Sequence, residues 1–268
     1  MNNSHFKSVV CGAALVAALG VATAARAAVG APATTSVNGG MDNIGYGTGG
    51  NIFQLQPMLF VAGLGSANDP LSIVTLNPLL AFSFAVAGAG TGLMTIDYRI
   101  TNTSNSESFD QLRFMLFANP DGDSLNFLDR VVQTWGAQGV GDPERREGRE
   151  FVDPSNTLLS KFRVNGNLIE AFDGCLSGVG CDATVGLQWN AAQLGPQQSL
   201  LVRIGLSDNG QHLSSRFLDV IAANSTDTTL TLSGVASITA VPVPLSGALF
   251  SAGLLALVAT RARRRVAA

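Results

Sequence analysis

The amino-acid sequence predicts an all-β protein, an antiparallel β-sandwich. Three observations predict it: short apolar–polar alternating runs recur, Gly, Asn, Asp and Pro separate them, and no long helical period interrupts them. The chain has 268 residues, 30 of them glycine, and is 46% apolar and only 13% charged. Setting aside two end segments of export character leaves 213 residues, enough for one sizeable core.

The elements follow in order. Residues 28–56 are expected as a Gly-rich lead, because six glycines fall between Gly39 and Gly50. The sandwich domain is then expected over 57–240. Residues 79–86 form an apolar strand. Residues 93–101 alternate most cleanly, with Met94, Ile96, Tyr98 and Ile100 on one face and Thr95, Asp97, Arg99 and Thr101 on the other. A polar turn over 102–108 leads to a strand at 112–117, which Asn119-Pro120-Asp121-Gly122 should stop. Residues 129–173 are less regular, with short helices expected at 158–162 and 168–172. Strands return at 185–189, 199–206 and 228–232. Leu194-Gly195-Pro196-Gln197-Gln198 is a turn, and Asp208-Asn209-Gly210 a hairpin-type turn. Trp189 ahead of the Leu-Gly-Pro turn resembles secreted Ig-like modules, so the sandwich is expected to be of Ig-like or jelly-roll type.

The two ends read as addresses. Residues 1–27 carry Lys7, an apolar stretch from Val9 to Ala24, and Ala25-Arg26-Ala27, an A-x-A pattern whose small side chains suit a signal peptidase. This is the order of a secretory signal peptide; a membrane anchor is the rival, disfavoured by the weakly hydrophobic Ala/Gly composition. The other end reads Val241, Pro242, Val243, Pro244, then an apolar run at 245–260, then Arg261, Arg263, Arg264 and Arg265. Sixteen residues span about 24 Å as a helix, and about 30 Å when counted from Val241, just enough for a thin bilayer. Arginines beyond it resist translocation, which sets an outside-to-inside topology. A buried helix of the domain would not need that arginine stop.

Motif, short helix and Arg cluster over 241–265 together resemble a PEP-CTERM sorting signal, with Val243 where the usual Val-Pro-Glu-Pro has Glu. Residues 249–255, Leu-Phe-Ser-Ala-Gly-Leu-Leu, are similar to variant tails that begin Val-Pro-Leu-Pro. The resemblance implies processing by an exosortase-type membrane protease of a Gram-negative exporter. It also implies transient retention in the inner membrane, cleavage near Pro242–Pro244, and release or attachment at the cell surface.

Composition excludes several chemistries. Between residues 28 and 240, ten cations stand against nineteen acids, a net charge of −9 and the wrong sign for a nucleic-acid binder. Only His5 and His212 exist, and His5 lies in the leader. No G-x-S-x-G elbow accompanies His212, and no phosphate-cradling loop is present. Cys175 and Cys181 remain after leader removal and are expected to pair in an oxidising compartment, closing a ring worth about 2.4 kcal/mol. Their spacing is wider than a redox C-x-x-C, and two Cys with one His do not make a zinc site.

Asn119-Pro120-Asp121-Gly122-Asp123, with Asp129 beyond, offers oxygen ligands in a turn. An EF-hand fails because its twelfth position is Arg130; a looser calcium site on Asp121 and Asp123 remains, against a solvated acidic turn. Residues 143–150 mix three cations with three anions, as a soluble ion-paired loop does.

The expectation is therefore an exported non-enzymatic envelope or extracellular-matrix protein associated with exopolysaccharide or other matrix proteins, without a cofactor apart from that calcium. Two alternatives stand beside it. One is a polysaccharide hydrolase drawing two acids from Asp97, Asp121, Asp123, Glu144, Glu147 and Glu170. The other is a permanently anchored surface adhesin. Solvent-facing aromatics in one groove would mark a lectin-like module; their absence would mark a structural or adhesive part.

Overall fold

The computed structural model describes residues 28–47, 49–67, 73, 77–121, 129–137, 139–143, 149–151, 183–222 and 229–241. These form two antiparallel sheets. One has the order β1(Thr34–Thr35), β2(Met41–Tyr46), β3(Gly50–Val61), β7(Phe109–Asp121), β10(Ala183–Leu194), β9(Arg149–Phe151), with β4(Gly65–Ala67) also on β3. The other has β5(Leu80–Ala87), β6(Leu93–Asn102), β11(Gln198–Ser207), β13(Thr229–Ala240), β12(Arg216–Ala222), β8(Asp129–Trp135). The core lies between them, as the sequence pattern requires.

β6 shows how alternation becomes packing. Met94, Ile96, Tyr98 and Ile100 are fully buried, and the same parity holds on its neighbour β11 with Leu200, Val202 and Ile204. From the opposite sheet, β7 supplies Leu112, Phe114, Leu116 and Ala118, and β10 supplies Val185, Leu187 and Trp189. Aromatic rings bridge the layers at Tyr98 and Phe114, whose centroids lie 5.2 Å apart, and Phe114 packs in turn on Trp189, its cross-strand partner in the same sheet, at 6.2 Å. Phe82 and Phe84 of β5 pack on Tyr98 from its own sheet. The buried Tyr98 hydroxyl donates to the Gly39 carbonyl at 2.9 Å, tying the second sheet to the turn before β2. Gly39 sits at φ 81°, and a Cβ there would come 2.8 Å from the Tyr98 ring, so this turn needs glycine twice over.

Several expectations need correction. The 28–56 stretch is no lead: it contains β1, β2 and the first half of β3, so the sandwich starts well before residue 57. Asn43 explains why β2 escaped notice. Its φ of 54° switches the strand's face, so Met41 and then Ile44 and Tyr46 point inward and the two-residue period breaks. A bulge between Ile52 and Gln54 does the same to β3. β7 is not stopped by Asn119-Pro120 but runs to Asp121; Pro120 pairs with Ile52 beside that bulge, where a missing N–H is tolerated. Residues 129–135 form β8, and β12 extends the second sheet, although neither was expected as a strand. Asp208-Asn209-Gly210 is a turn, with Gly210 at φ 77°, but not a hairpin: β13 lies between β11 and β12. The helices expected at 158–162 and 168–172 lie outside the described residues.

The inter-sheet aromatics generate a stability test. Phe114→Ala should cost about 3–5 kcal/mol by emptying the centre of the core. Tyr98→Phe should cost about 1–3 kcal/mol by leaving the buried Gly39 carbonyl unbonded. Denaturant midpoints of the two variants, at unchanged m-value, check both.

Candidate functional site

The two ends of the sandwich carry its candidate chemistry. At one end the chain crosses between sheets at Leu194–Gln198, and Asn102 pins the crossing by donating through Nδ2 to the Leu194 and Gly195 carbonyls at 3.1 and 2.9 Å. β13 finishes here at Ala240, and the Val241 amide donates to the Gln197 carbonyl at 2.7 Å. No described strand uses a residue beyond Ala240. Of the expected sorting residues only Val241 is described; Pro242, Val243, Pro244, Arg261, Arg263, Arg264 and Arg265 lie outside, as do residues 1–27. Among the described residues no helix is long and apolar enough to cross a membrane. Cys175 and Cys181 also lie outside the described residues.

The opposite end gathers acids. Asp121 closes β7 and Asp129 opens β8, so the two flank one connection and reach opposite sheets. Both are buried, at 3% and 0% exposure. Tyr46, the last residue of β2, lies across Gly50 of β3: a Cβ on Gly50 would meet the Tyr46 ring at 2.5 Å. The next residue on β3, Asn51, pairs with Asp121. Burial first, then the charges of Asp129 and Asp121, hold the Tyr46 hydroxyl well above the usual phenol range. Its oxygen makes no hydrogen bond among the described residues. Beside it, the Gly47 amide donates to Asp208 Oδ2 at 3.2 Å. Among the described residues no three acids, histidines or cysteines form a metal-ligating group. Asp123 lies outside them. The sequence singled out Asp121 for ion binding but not Tyr46, whose one local mark is its place between Gly45 and Gly47.

A third feature is a cavity of about 290 Å³ lined by Trp189, Leu200, Ala236, Ile238, Val140 and Asp142, among others. It opens because β12 covers β13 only as far as Ser233; beyond that, Ala236 N donates to the Gly141 carbonyl instead. Trp189 is 2% exposed, so its ring offers no stacking platform. Tyr46 and Tyr98 are buried too, and Phe53 is the one aromatic among the exposed large apolar residues described.

The acids named for hydrolysis do not converge where they are described. Asp97 lies on β6, held by Arg203 through Nε–Oδ1 at 2.6 Å and Nη2–Oδ2 at 2.7 Å, and Asp121 lies in the other sheet. Hydrogen bonding from Arg203, then its charge and that of Arg99, hold the Asp97 carboxyl below its ordinary 3.8 against a smaller effect of burial. An acid held ionised this way is a poor proton donor at neutral pH. Glu144, Glu147 and Glu170 lie outside the described residues. Comparison with protein-family models, with curated proteins and with solved structures returned no match.

The lowered carboxyl predicts a pH dependence. The pair adds stability above the unfolded-state value and loses it as pH falls through the folded one. Because both side chains are partly exposed, Asp97→Asn should cost no more than about 1 kcal/mol at neutral pH. Wild type and variant should converge in strong acid, as parallel denaturant titrations at several pH values would record.

Proposed function

We propose that this chain is an exported, non-enzymatic envelope or extracellular-matrix protein, sorted by an exosortase-type membrane protease through residues 241–265. The observation that carries the reading is the end of β13. The sheet hydrogen bonds run to Ala240 and Val241, and the Val-Pro-Val-Pro motif starts on that same residue. A protease working near Pro242–Pro244 would sever the tail without removing a strand, and the sandwich would be released intact.

Burial of Tyr46, Tyr98 and Trp189, three of the chain's four Tyr and Trp residues, favours a structural or adhesive part in the polysaccharide matrix over a lectin with a sugar-stacking groove; the side chain of the fourth, Trp135, is not among those described. The separation of Asp97 from Asp121 gives no support to a carboxylate-pair hydrolase. For the architecture we infer the jelly-roll variant of the sandwich. The pair β6/β11 in one sheet continues as the pair β7/β10 in the other, as a folded antiparallel ribbon would.

Intact-mass spectrometry of the protein recovered from its native host tests the sorting route. The expected species begins near Ala28 and ends close to Pro242–Pro244. Replacing Arg261, Arg263, Arg264 and Arg265 with Gln should leave the tail uncut or misplaced. A mature protein that retains all four arginines would replace the sorted module with a permanently anchored adhesin.

A further inference from the structure

We propose that the free edge of β13 at Ser237–Ala240 takes up an extended segment of a partner protein as an added strand, with one bulky apolar side chain of that segment seated in the adjoining cavity and a following cation against Asp142. This goes beyond the sorting route and stands or falls independently of it.

Hydrogen-bond parity shows which backbone groups are on offer. Along an antiparallel strand, the N–H and C=O of successive residues turn alternately to one neighbour and to the other. The Val241 amide donates to the Gln197 carbonyl, on the β11 side, and the Ala236 amide donates to the Gly141 carbonyl, on the opposite side. Ile238 and Ala240 share the parity of Ala236, so their N–H and C=O groups turn away from β11. β12 reaches no further along β13 than Ser233, and among the described residues no backbone group bonds Ile238 or Ala240 on that side. All four residues from Ser237 to Ala240 are exposed. Edges are commonly blunted by Lys, by Pro or by a bulge. The Ser-Ile-Thr-Ala stretch has no charge and no proline, and it pairs with β11 in unbroken register.

The cavity supplies selectivity. Ile238 pairs with the buried Leu200 and shares its face, yet it is 44% exposed, because the cavity of about 290 Å³ opens beside it. Trp189, Ala191, Leu200 and Ala236 form the other apolar walls. In antiparallel pairing the incoming residue opposite Ile238 exchanges both main-chain bonds with it and projects to the same face, towards this cavity. Strand addition divides its labour in this way: main-chain bonds hold the segment and alternate side chains select it. Asp142 is the one ionisable residue among the described lining residues. Its Oδ2 accepts from the Gly139 amide at 2.8 Å and from the Ser215 hydroxyl at 3.1 Å, and it makes no ion pair among the described residues. It follows Gly141, which bonds Ala236, so a Lys or Arg two residues after the seated side chain complements it. A second copy fits less well. The one self-pairing register that uses both free residues of each edge sets Ala240 opposite Ile238, and a methyl group does not fill the cavity.

A fluorescently labelled peptide, acetyl-Thr-Val-Thr-Leu-Thr-Lys-Thr-amide, tests the proposal on the full chain in detergent, with its Leu set opposite Ile238 and its Lys near Asp142. Anisotropy should show saturable binding below about 1 mM. N-methylation of the Leu amide, whose N–H faces β13, should weaken binding at least about tenfold; N-methylation of the next Thr, whose N–H points away, should change it less than about threefold. Peptides with Asp for Leu, or Glu for Lys, should bind several-fold more weakly. Ile238→Pro removes the outward N–H while sparing the bonds to β11, and should abolish binding. Should that variant fail to fold, the N-methylated pair on the wild-type protein decides the matter. Absence of saturable binding overturns the proposal, and so does equal affinity for the two N-methylated peptides. Self-association of the protein that Ile238→Pro abolishes would make the occupant a second copy, and would overturn it too.

Discussion

Contact between Tyr98 and Phe114 across the two sheets, extended by Trp189 beside Phe114 in its own sheet, is the interaction on which the rest of this structure depends. Each ring comes from a strand at or next to the centre of its sheet, and each is buried. Together they set the spacing of the layers in a chain only 7% aromatic. Aromatic pairs packed at a tilt, here 39° and 49° between ring planes, add to the transfer energy of their area. Tyr98 does a second job, because its hydroxyl fastens the Gly39 turn to the opposite sheet. The first two strands of the domain are thereby held to the core by a polar contact that would be lost with one oxygen atom. A small change in this place acts on both layers.

The sequence made some of this legible. β6 was readable to within a residue, because Met94, Ile96, Tyr98 and Ile100 keep strict alternation and no bulge disturbs them. The turn after Trp189 was legible too: Leu194–Gln198 is where the chain crosses from one sheet to the other. The failures have identifiable causes. Asn43 at positive φ and the bulge at Ile52–Gln54 shift the parity of β2 and β3, so a period-two test finds no period there. Pro120 looked like a terminator because a proline in a strand normally is one; its tolerance depends on a bulge in a partner some seventy residues earlier in the chain, which no local window contains. At Asp208-Asn209-Gly210 the turn chemistry was right and the pairing wrong, since local residues specify a reversal but not which strand comes to lie alongside.

The candidate site was half legible for the same reason. Asp121 stood out because it sits in an Asn-Pro-Asp-Gly-Asp cluster, a local pattern. Asp129 was noted beyond that cluster, but its burial and its place at the start of a strand came only when β8 joined the second sheet through its pairing with Ala222 of β12. Tyr46 became important only when its ring crossed Gly50, a position where any side chain would collide with it. Both are consequences of tertiary pairing. The glycines that made residues 39–50 look like a flexible lead are the residues that let these rings approach the backbone.

The two ends of the sandwich therefore differ in kind, and topology keeps them apart. β7 runs from Phe109, which pairs with Leu194 at the crossing, to Asp121 at the acidic end; its thirteen residues cover roughly 40 Å at about 3.3 Å per residue. The end that gives rise to Val241 is closed by backbone bonds and by the Asn102 side chain, all neutral groups. The far end concentrates buried charge. If the tail holds the chain at a membrane, the acidic end faces away from it, and that is where bulk cations and matrix components arrive first.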